Sequence, residues 1–358
     1  MMKSKRARRL AGWAVVCGLA AGAGLYWQLN LPFSAFAEEV FVELPRGTGT
    51  VRIAEMLETS GVVRSRWLLL AARLLRPGSK LQAGEYRFHK RASALEVYDR
   101  IARGDVFYIP FTVPEGANMF EIGASLEAAG IMESEEFLRR ARNPDPIRDL
   151  APDAPSLEGY LFPSTYWISR STTAAELCRR LTGEFRRVWQ ELNAQAPPHE
   201  TVTLASMVEK ETAVPAEREL VASVFRNRLE LGMKLDCDPT TIYAALLEGR
   251  YRGRIHVSDL QDKNPYNTYQ HAGLPPGPIA NPGLASLKAA LTPADSNYLY
   301  FVARPGGSGE HSFSASLQQH QVAVTRYRGA GMNRNNGKEA LQAKTTRGVP
   351  GGKKTSRH

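Results

Sequence analysis

Cysteine is scarce in this chain, and the cysteines present form no recognisable pattern. Cys17, Cys178 and Cys237 are the only three in 358 residues, which excludes a disulfide-rich scaffold. Asp236-Cys237-Asp238 places two carboxylates beside a thiol, but no histidine or second cysteine stands at a supporting spacing. No metal site is therefore predicted, and no cofactor is expected. The sequence leaves open whether Cys178 and Cys237 pair.

An excess of charge of one sign is absent from the body of the chain. The whole sequence carries a formal net charge of +10. Residues 1–9 contribute +5 and residues 331–358 contribute +6, which leaves −1 for residues 10–330. A basic nucleic-acid-binding face is therefore not expected. Residues 331–358 are rich in Gly, Asn, Lys and Arg without periodicity and are predicted to form a disordered basic tail.

One long apolar run stands near the N-terminus. Leu10 to Leu29 is an uncharged, mostly apolar run of 20 residues, the length that a helix needs to cross roughly 30 Å of hydrocarbon. The basic residues within 1–9 predict a cytoplasmic N-terminus, with everything after residue 30 exported. We expect a retained transmembrane helix. The alternative is a cleaved signal peptide, because Ala35-Phe36-Ala37 has the form of a cleavage site.

An internal repeat follows, with an offset of 69 residues. Val42–Gly47 (VELPRG) recurs as Phe111–Gly116 (FTVPEG), and the apolar positions after each segment recur at the same offset. Each copy predicts a short strand, a Pro-x-Gly turn, a helix and a second helix. Two such units favour a small α+β binding module, and a spacer that raises the remainder of the chain is the alternative.

A single carboxylate stands out in the middle of the chain. Between Leu157 and Trp167, Glu158 is the only charged residue, and four aromatic residues share the segment. Poor solvation raises the pKa of a carboxyl group because the charged form suffers most. A glutamic acid that is protonated near neutral pH can serve as a general acid, as protonation of a glycosidic oxygen requires. The alternative is a glutamate that caps a turn beside a core strand.

Two further acids, Glu209 and Glu211, stand at the C-terminal end of a helix predicted over Thr203–Glu209. Residues two apart on a helix point to nearly opposite sides, so they make a poor catalytic pair with each other. One of them is a candidate to reach the pocket around Glu158, and an exposed helix end is the alternative.

A proline-stiffened loop offers substrate-binding candidates. Tyr266, Asn267 and Tyr269 lie in a segment of the kind that sugar sites use, because rings stack on the apolar face of a pyranose and amides bond its hydroxyls. Tyr160, two residues after Glu158, joins these candidates. A stiff structural loop is the alternative. The segment Asn281-Pro282 is predicted to start a helix that runs through Leu291.

Seven motifs taken together resemble those of one family. They are Leu157–Tyr166 (LEGYLFPSTY), Leu204–Thr212 (LASMVEKET), Ala222–Leu229 (ASVFRNRL), Asp238–Tyr243 (DPTTIY), Tyr266–Tyr269 (YNTY), Gly273–Gly283 (GLPPGPIANPG) and Tyr298–Val302 (YLYFV). The chain resembles the endolytic murein transglycosylases (the MltG or YceG-like family) over about residues 40–328.

The resemblance implies an α+β protein of the inner membrane. It would have a single N-terminal transmembrane helix (10–29), a LysM-like repeat region (40–145) and a transglycosylase catalytic domain (150–330). Members of the family cleave nascent peptidoglycan between N-acetylmuramic acid and N-acetylglucosamine, leave a 1,6-anhydro end and help to terminate glycan elongation. Their catalytic glutamate matches Glu158. The implied partners are peptidoglycan glycan strands and the membrane, with peptidoglycan synthases or division proteins as further partners.

The mechanism expected from the family agrees with the scarcity of suitable carboxylates. A glycoside hydrolase normally uses two carboxyl groups, whereas a lytic transglycosylase can work with one because the 6-hydroxyl of the sugar is the nucleophile. Two other interpretations stay open. The first is a non-catalytic, membrane-anchored peptidoglycan-binding protein, and the second is a two-carboxylate muramidase that uses Glu209 or Glu211.

Overall fold

The computed structural model describes residues 2–306 and 308–329, with side chains from residue 12 onward. The chain divides into two units. The first comprises the residues up to 110 together with 167–172, and the second comprises 111–166 together with the residues from 173 onward. The charged side chains of residues 1–9 and the predicted tail, 331–358, lie outside the described residues.

The first unit begins with a long helix and continues as a small α+β fold. Its elements are α1 (Met2–Asn30), β1 (Val40–Leu44), α2 (Thr50–Thr59), α3 (Arg66–Leu74), β2 (Gly84–Phe88) and α4 (Ala94–Arg103).

Strands β1 and β2 form an antiparallel pair in which Val42 lies opposite Tyr86. Val42 and Leu44 are buried whereas Glu43 between them is exposed, so one face of the pair meets the helices, as the period of two in a strand dictates. Apolar side chains of α2, α3 and α4 complete this core, among them Ile53, Leu57, Leu69, Tyr98 and Ile101.

The second unit is mainly helical. Its elements are β3 (Ile109–Val113, which begins in the first unit), α5 (Met119–Ala128), α6 (Ser134–Ala141), β4 (Ser164–Ile168, which ends in the first unit), α7 (Ala174–Leu192), α8 (Pro198–Glu211), α9 (Arg218–Glu230), α10 (Asp238–Leu247), α11 (Val257–Leu260), α12 (Leu284–Leu291), β5 (Tyr300–Ala303) and β6 (His311–Ser314), followed by a helix over 317–329. Strand β3 pairs with β4, and β5 pairs with β6.

Helix α8 lies at the centre of the second unit. Every residue from Thr201 to Val208 is buried, as expected of a helix covered on all sides. It packs against α9, α10 and α12, and the shared core includes Met207, Phe225, Tyr243 and Ala289. Helix α8 begins at Pro198, five residues before the predicted start, because Pro198 at the first helical position needs no hydrogen-bond partner for its nitrogen.

The recurrence predicted at an offset of 69 residues is present in the secondary structure. Strand β1 and helix α2, moved by 69 residues, fall on β3 and α5 residue for residue. The second helix of each copy, α3 and α6, follows at nearly the same spacing. The two copies belong to different units, since the division falls between Pro110 and Phe111.

The predicted membrane span is not found. Among the helices of the described residues, none combines the length and the apolarity that crossing a membrane requires. Helix α1 is long enough, but four glycines and Gln28 lower the mean hydropathy of residues 12–29.

The helix predicted to start at Asn281-Pro282 begins later, at Leu284, with Gly283 at the N-cap position. The backbone N–H of Asn281 donates to Ala117 O at 3.0 Å, and Asn281 O accepts from Gly116 N at 2.9 Å. Because both backbone groups of Asn281 bond a distant segment, this residue is held against the turn before α5 and does not cap the helix.

Candidate active site

Glu158 sits in a tight turn of the second unit. The N–H of Tyr160 donates to Leu157 O at 3.0 Å, and the N–H of Glu158 donates to Ser156 Oγ at 3.1 Å. Gly159 has a φ of +86°, a left-handed conformation that glycine adopts without steric cost. The turn thus directs the Glu158 side chain into the interior of the unit.

The carboxyl group of Glu158 has hydrogen-bond donors on both oxygens. The N–H of Met119 donates to Oε2 at 2.9 Å, and the side-chain amide of Asn281 donates to Oε1 at 2.8 Å. The Tyr243 hydroxyl is a further partner. Glu158 is only 1% exposed, so it is a buried acid whose fixed partners are all donors.

Burial dominates the proton affinity of this group. Loss of solvation raises the pKa of Glu158 to about 8, although hydrogen bonds from the Met119 N–H, the Tyr243 hydroxyl and the Gly159 N–H act in the opposite direction. The negative charge of Glu121 adds a small upward contribution. Glu158 therefore holds its proton near neutral pH while retaining partners that stabilise the carboxylate once the proton leaves.

The donor at Met119 comes from the N-terminus of α5. Asn118 caps this helix, since its Oδ1 accepts from the N–H groups of Phe120 and Glu121 at 3.0 and 2.9 Å. The Glu121 side chain accepts in return from the N–H of Asn118 at 2.9 Å. The cap satisfies two of the free N–H groups at the helix start and leaves that of Met119 for Glu158, where the positive end of the helix dipole favours a carboxylate.

Aromatic rings from distant parts of the chain surround the acid. The rings of Tyr243 and Tyr266 lie 5.1 Å apart, and Phe120 lies 6.1 Å from Tyr243. Burial raises the pKa of the Tyr243 hydroxyl, and the charge of Glu158 raises it further. The same two causes raise the pKa of Tyr266. Tyr266 is thus the predicted binding residue that the structure brings beside Glu158.

A cavity of about 280 Å³ adjoins the turn that precedes α5. Residues 111–117 line it, together with Glu121, Ile122, Ser125 and Lys210. The Lys210 ammonium donates to Gly116 O at 3.1 Å. The hydroxyl, carboxylate and ammonium groups that line this cavity are able to bond sugar hydroxyls.

Glu209 reaches the same neighbourhood but has structural partners. It accepts from the Gly283 N–H at 2.9 Å and lies 3.7 Å from the Arg218 guanidinium in a mostly buried ion pair. Its carboxylate thereby holds the chain just after Asn281.

Two of the predicted binding residues support loops. The Tyr160 hydroxyl bonds His199 Nδ1 at 3.0 Å and is fully buried. Asn267 is also fully buried: its amide donates to the carbonyls of Asp259, Leu260 and Asp262, and its oxygen accepts from Thr241 Oγ1 at 3.2 Å. Neither side chain is exposed to a cavity around Glu158.

Glu211 and Tyr269 line a different cavity, of about 390 Å³. Burial raises the pKa of Glu211, which accepts from the Cys237 thiol at 3.0 Å. The Tyr269 hydroxyl donates to Asp238 Oδ1 at 2.7 Å.

Cys178 and Cys237 are both free and buried. Among the described residues, no group of three or more His, Cys, Asp or Glu side chains is arranged to hold a metal ion.

Sequence reasoning missed three partners of Glu158, namely Asn281, Tyr243 and the backbone of Met119. Asn281 and Tyr243 lie in the motifs Gly273–Gly283 and Asp238–Tyr243, but their separation from Glu158 in the chain gives no local signal. For Met119, the signal was Asn118 followed three residues later by Glu121, a capping-box spacing that marks a helix start.

Comparison with known proteins identifies the relatives of this chain. The model of the YceG-like family matches residues 42–326. A protein of Bacillus subtilis (strain 168) named endolytic murein transglycosylase is 31% identical over 309 residues, which cover 80% of this chain and 84% of that protein.

Two further proteins support the same relationship. An endolytic murein transglycosylase of Streptococcus pneumoniae is 27% identical over 310 residues, covering 76% of this chain and 56% of that protein. The crystal structure of a yceG-like protein from Listeria monocytogenes superposes with a TM-score of 0.51 at 28% identity, covering 79% of this chain and 98% of that one.

Proposed function

Because this chain belongs to the YceG-like family, we propose that it is an endolytic murein transglycosylase, a lyase that cuts peptidoglycan strands internally. The related proteins of Bacillus subtilis and Streptococcus pneumoniae carry that name. At the level of residues, the proposal assigns the chemistry to Glu158, with cleavage between N-acetylmuramic acid and N-acetylglucosamine.

The observation that carries the assignment is the state of the Glu158 carboxyl group. It is 1% exposed, its pKa is raised to about 8, and it is held by the Met119 N–H and the Asn281 amide. A general acid works best when its pKa lies near the operating pH. Because the carboxyl is covered, the entering strand has to open a path to it before proton transfer.

The reaction needs one carboxyl group in two roles. Glu158 gives its proton to the glycosidic oxygen as the bond from that oxygen to C1 of the muramic acid breaks. The 6-hydroxyl oxygen of the same sugar then bonds C1, and its proton passes to the Glu158 carboxylate. The acid is regenerated, no water is consumed, and the product ends in 1,6-anhydro-muramic acid.

The positions of the other carboxylates support this single-acid scheme. Glu209 is engaged by Arg218 and the Gly283 N–H, and Glu211 bonds Cys237 beside the second cavity. A two-carboxylate mechanism requires a second acid that faces the scissile bond, and each of these acids has structural partners instead.

The first test substitutes the proposed acid. In Glu158→Gln the titrating proton is lost while the shape is kept, so cleavage of purified glycan strands should fall by ~10²–10⁴ or more. The control is Glu135→Gln, the same chemical change at a carboxylate exposed on α6, which should retain wild-type activity. Circular dichroism of both variants checks that they are folded.

Mass spectrometry of the products separates the alternatives. Wild-type products should end in 1,6-anhydro-muramic acid, with internal cuts giving strands of intermediate length. Reducing muramic ends would identify water as the nucleophile and support a two-carboxylate muramidase. Full activity in Glu158→Gln would exclude Glu158 as the acid, and a wild-type protein that binds strands without cutting them would be a peptidoglycan-binding protein.

We also propose where the protein acts and what it binds. Peptidoglycan lies outside the cytoplasmic membrane, so we place the catalytic part, residues 150–330, on the cell-wall side, and a reporter active only there should give signal when fused after residue 40. The repeat region, 40–145, is proposed to bind glycan in the manner of a LysM module. Peptidoglycan synthases or division proteins are the proposed protein partners.

A further inference from the structure

We propose that Asn281 is a positioning residue for Glu158: its amide holds the carboxyl group in one orientation and stabilises the carboxylate that accepts the hydroxyl proton. This inference rests on the proposed function for its place in the reaction. Its structural part, the interaction between the two side chains, is testable without any cleavage assay.

The orientation of the Asn281 amide follows from its partners. Asn281 Oδ1 accepts from the Leu161 N–H at 2.9 Å, and a backbone N–H can only donate. The other end of the amide must therefore be the NH₂ group. This group donates to Ala117 O at 2.8 Å and to Glu158 Oε1 at 2.8 Å. Each polar atom of the side chain has a partner, and exchanging the two ends of the amide would place donor against donor at the Leu161 N–H and acceptor against acceptor at Ala117 O.

The backbone of Asn281 is held as firmly as its side chain. Asn281 is fully buried, and it exchanges backbone hydrogen bonds with Gly116 and Ala117. Pro282 follows, and a residue before proline is restricted to extended conformations. The amide thus joins the turn before α5 to the turn that carries Glu158, and it fixes Glu158 Oε1 relative to both.

A donor at this position shifts the balance between the two states of the acid. The other groups that face Glu158 are the Met119 N–H and the Glu121 carboxylate from α5, the Gly159 N–H from its own turn, the Tyr243 hydroxyl from α10 and the Tyr266 ring. The ion pair of Glu209 with Arg218 lies beside the chain that follows Asn281. Asn281 adds a neutral donor that bonds the carboxylate more strongly than the protonated acid, so its removal should make Glu158 hold its proton to higher pH.

Linkage between proton binding and folding gives a test that needs no activity. The folded-state pKa of Glu158, about 8, lies above the value of about 4.3 for an unfolded chain. The contribution of the protonated acid to stability is therefore fully present below about pH 4.3 and is lost as the pH rises toward 8. The difference in free energy of unfolding between wild type and Glu158→Gln should fall over that range and become constant above it.

The same difference is then measured in an Asn281→Ala background by chemical denaturation from pH 4 to pH 10. The pH at which this difference in free energy of unfolding becomes constant (the plateau) should rise by about one unit or more. A hydrogen bond to a charged group is strong enough to change a pKa by that amount. Asn281→Asp is the second variant, for use if Asn281→Ala does not fold. It still accepts from the Leu161 N–H but replaces the donor with an acid, so the shift should again be upward and larger.

Ser206→Ala is the matched control. The buried Ser206 Oγ accepts from the Ile279 N–H at 3.0 Å, so it holds the same segment as Asn281 without touching Glu158. Ser206→Ala should destabilise the protein and leave the position of the plateau unchanged. The proposal would be overturned if the plateau began at the same pH in wild type, Asn281→Ala and Asn281→Asp. It would also be overturned if Ser206→Ala shifted that pH as much as Asn281→Ala does.

The activity readout then tests the role in the reaction. On purified strands, Asn281→Ala should lower kcat by roughly ten- to a hundredfold, and the alkaline limb of its kcat/KM profile should move to higher pH, since that limb reports the acid of the free enzyme. Ser206→Ala should keep the wild-type limb. An unshifted limb in Asn281→Ala would contradict the role in catalysis. Absence of cleavage by the wild type would refute the proposed function but leave the stability measurement valid.

Discussion

At the scale of single residues, the proton affinity of Glu158 depends on groups that its own segment does not contain. The sequence places Tyr160, Phe162, Tyr166 and Trp167 next to it, and this predicts a poorly solvated acid. In the structure the Tyr160 hydroxyl bonds His199 and the Tyr166 hydroxyl bonds Phe162 O. The rings beside the carboxyl are Tyr243 and Tyr266 instead. The raised pKa was thus predictable from composition, whereas the identity of the surrounding groups was not.

The pH dependence of cleavage follows from this acid. The pKa of Glu158 is raised to about 8, and the free enzyme must carry the proton to begin the reaction. We expect kcat/KM to hold through neutral pH and to fall about tenfold per pH unit above about pH 8. The profile is measured on purified strands with the protein checked for folding at each pH. An alkaline limb near pH 5 would contradict the raised pKa.

Gly159 is required both by its backbone conformation and by its close contacts. Its φ is +86°, and a Cβ at this position would lie 2.4 Å from Pro278 Cγ and 2.8 Å from a methyl carbon of Val202. Gly159→Ala should therefore lower the free energy of unfolding by ~1–3 kcal/mol or more and reduce cleavage through displacement of Glu158.

The control for this prediction is Gly232→Ala, measured by the same chemical denaturation. Gly232 also has a positive φ, +65°, but a Cβ there meets nothing within 4 Å. Its loss of stability should be smaller, and its cleavage rate should match that of the wild type. Equal losses in the two variants would show that the contacts with Pro278 and Val202 have no effect.

At the scale of elements, helix ends are predictable from local signals where a side chain caps the helix. Thr173 and Glu176 form a capping box at the start of α7, and Asn193 ends the helix with a φ of 47°; a Thr-x-x-Glu spacing and a terminal Asn are signals that a sequence displays locally. The start of α12 was not predictable in this way. Asn281 has the composition of an N-cap, but its partners Gly116, Ala117 and Glu158 lie more than 120 residues away in the chain.

The cap of α5 should influence both stability and cleavage. Asn118 and Glu121 form a capping box, and the next N–H, that of Met119, bonds Glu158. Asn118→Ala should lower the free energy of unfolding by about 0.5–2 kcal/mol. It should also lower kcat, because a frayed first turn no longer holds the Met119 N–H in place.

Ser93→Ala provides the comparison, because Ser93 and Glu96 form the same kind of capping box at the start of α4 in the first unit. Both variants should lose similar stability in chemical denaturation, whereas only Asn118→Ala should cleave strands more slowly. Equal kcat in the two variants would mean that the α5 terminus is a structural feature alone.

At the scale of the whole molecule, the repeat was visible in the sequence while the division into units was not. An offset of 69 residues predicts that β3 and α5 resemble β1 and α2, and this is confirmed. The two copies nevertheless have different roles in the structure, since the second contributes Met119 to the site of Glu158. A local repeat carries no information about which copy packs beside a distant carboxylate, because such packing is decided by long-range contacts.

The distribution of charge gives the last prediction. Residues 331–358 carry +6 of the net charge of +10, whereas the family match ends at residue 326 and the partners of Glu158 lie between Met119 and Asn281. A chain that ends at residue 330 would keep a net charge of +4. It should cleave purified strands with kcat/KM within about twofold of the full chain. At low salt the shortened chain should bind vesicles that contain anionic lipid markedly more weakly than the full chain does. Each basic residue near such a surface contributes ~1 kcal/mol of binding free energy. Co-sedimentation at low and high salt measures the binding, with neutral vesicles as the control. A tenfold loss of cleavage on soluble strands would show instead that the segment takes part in the reaction.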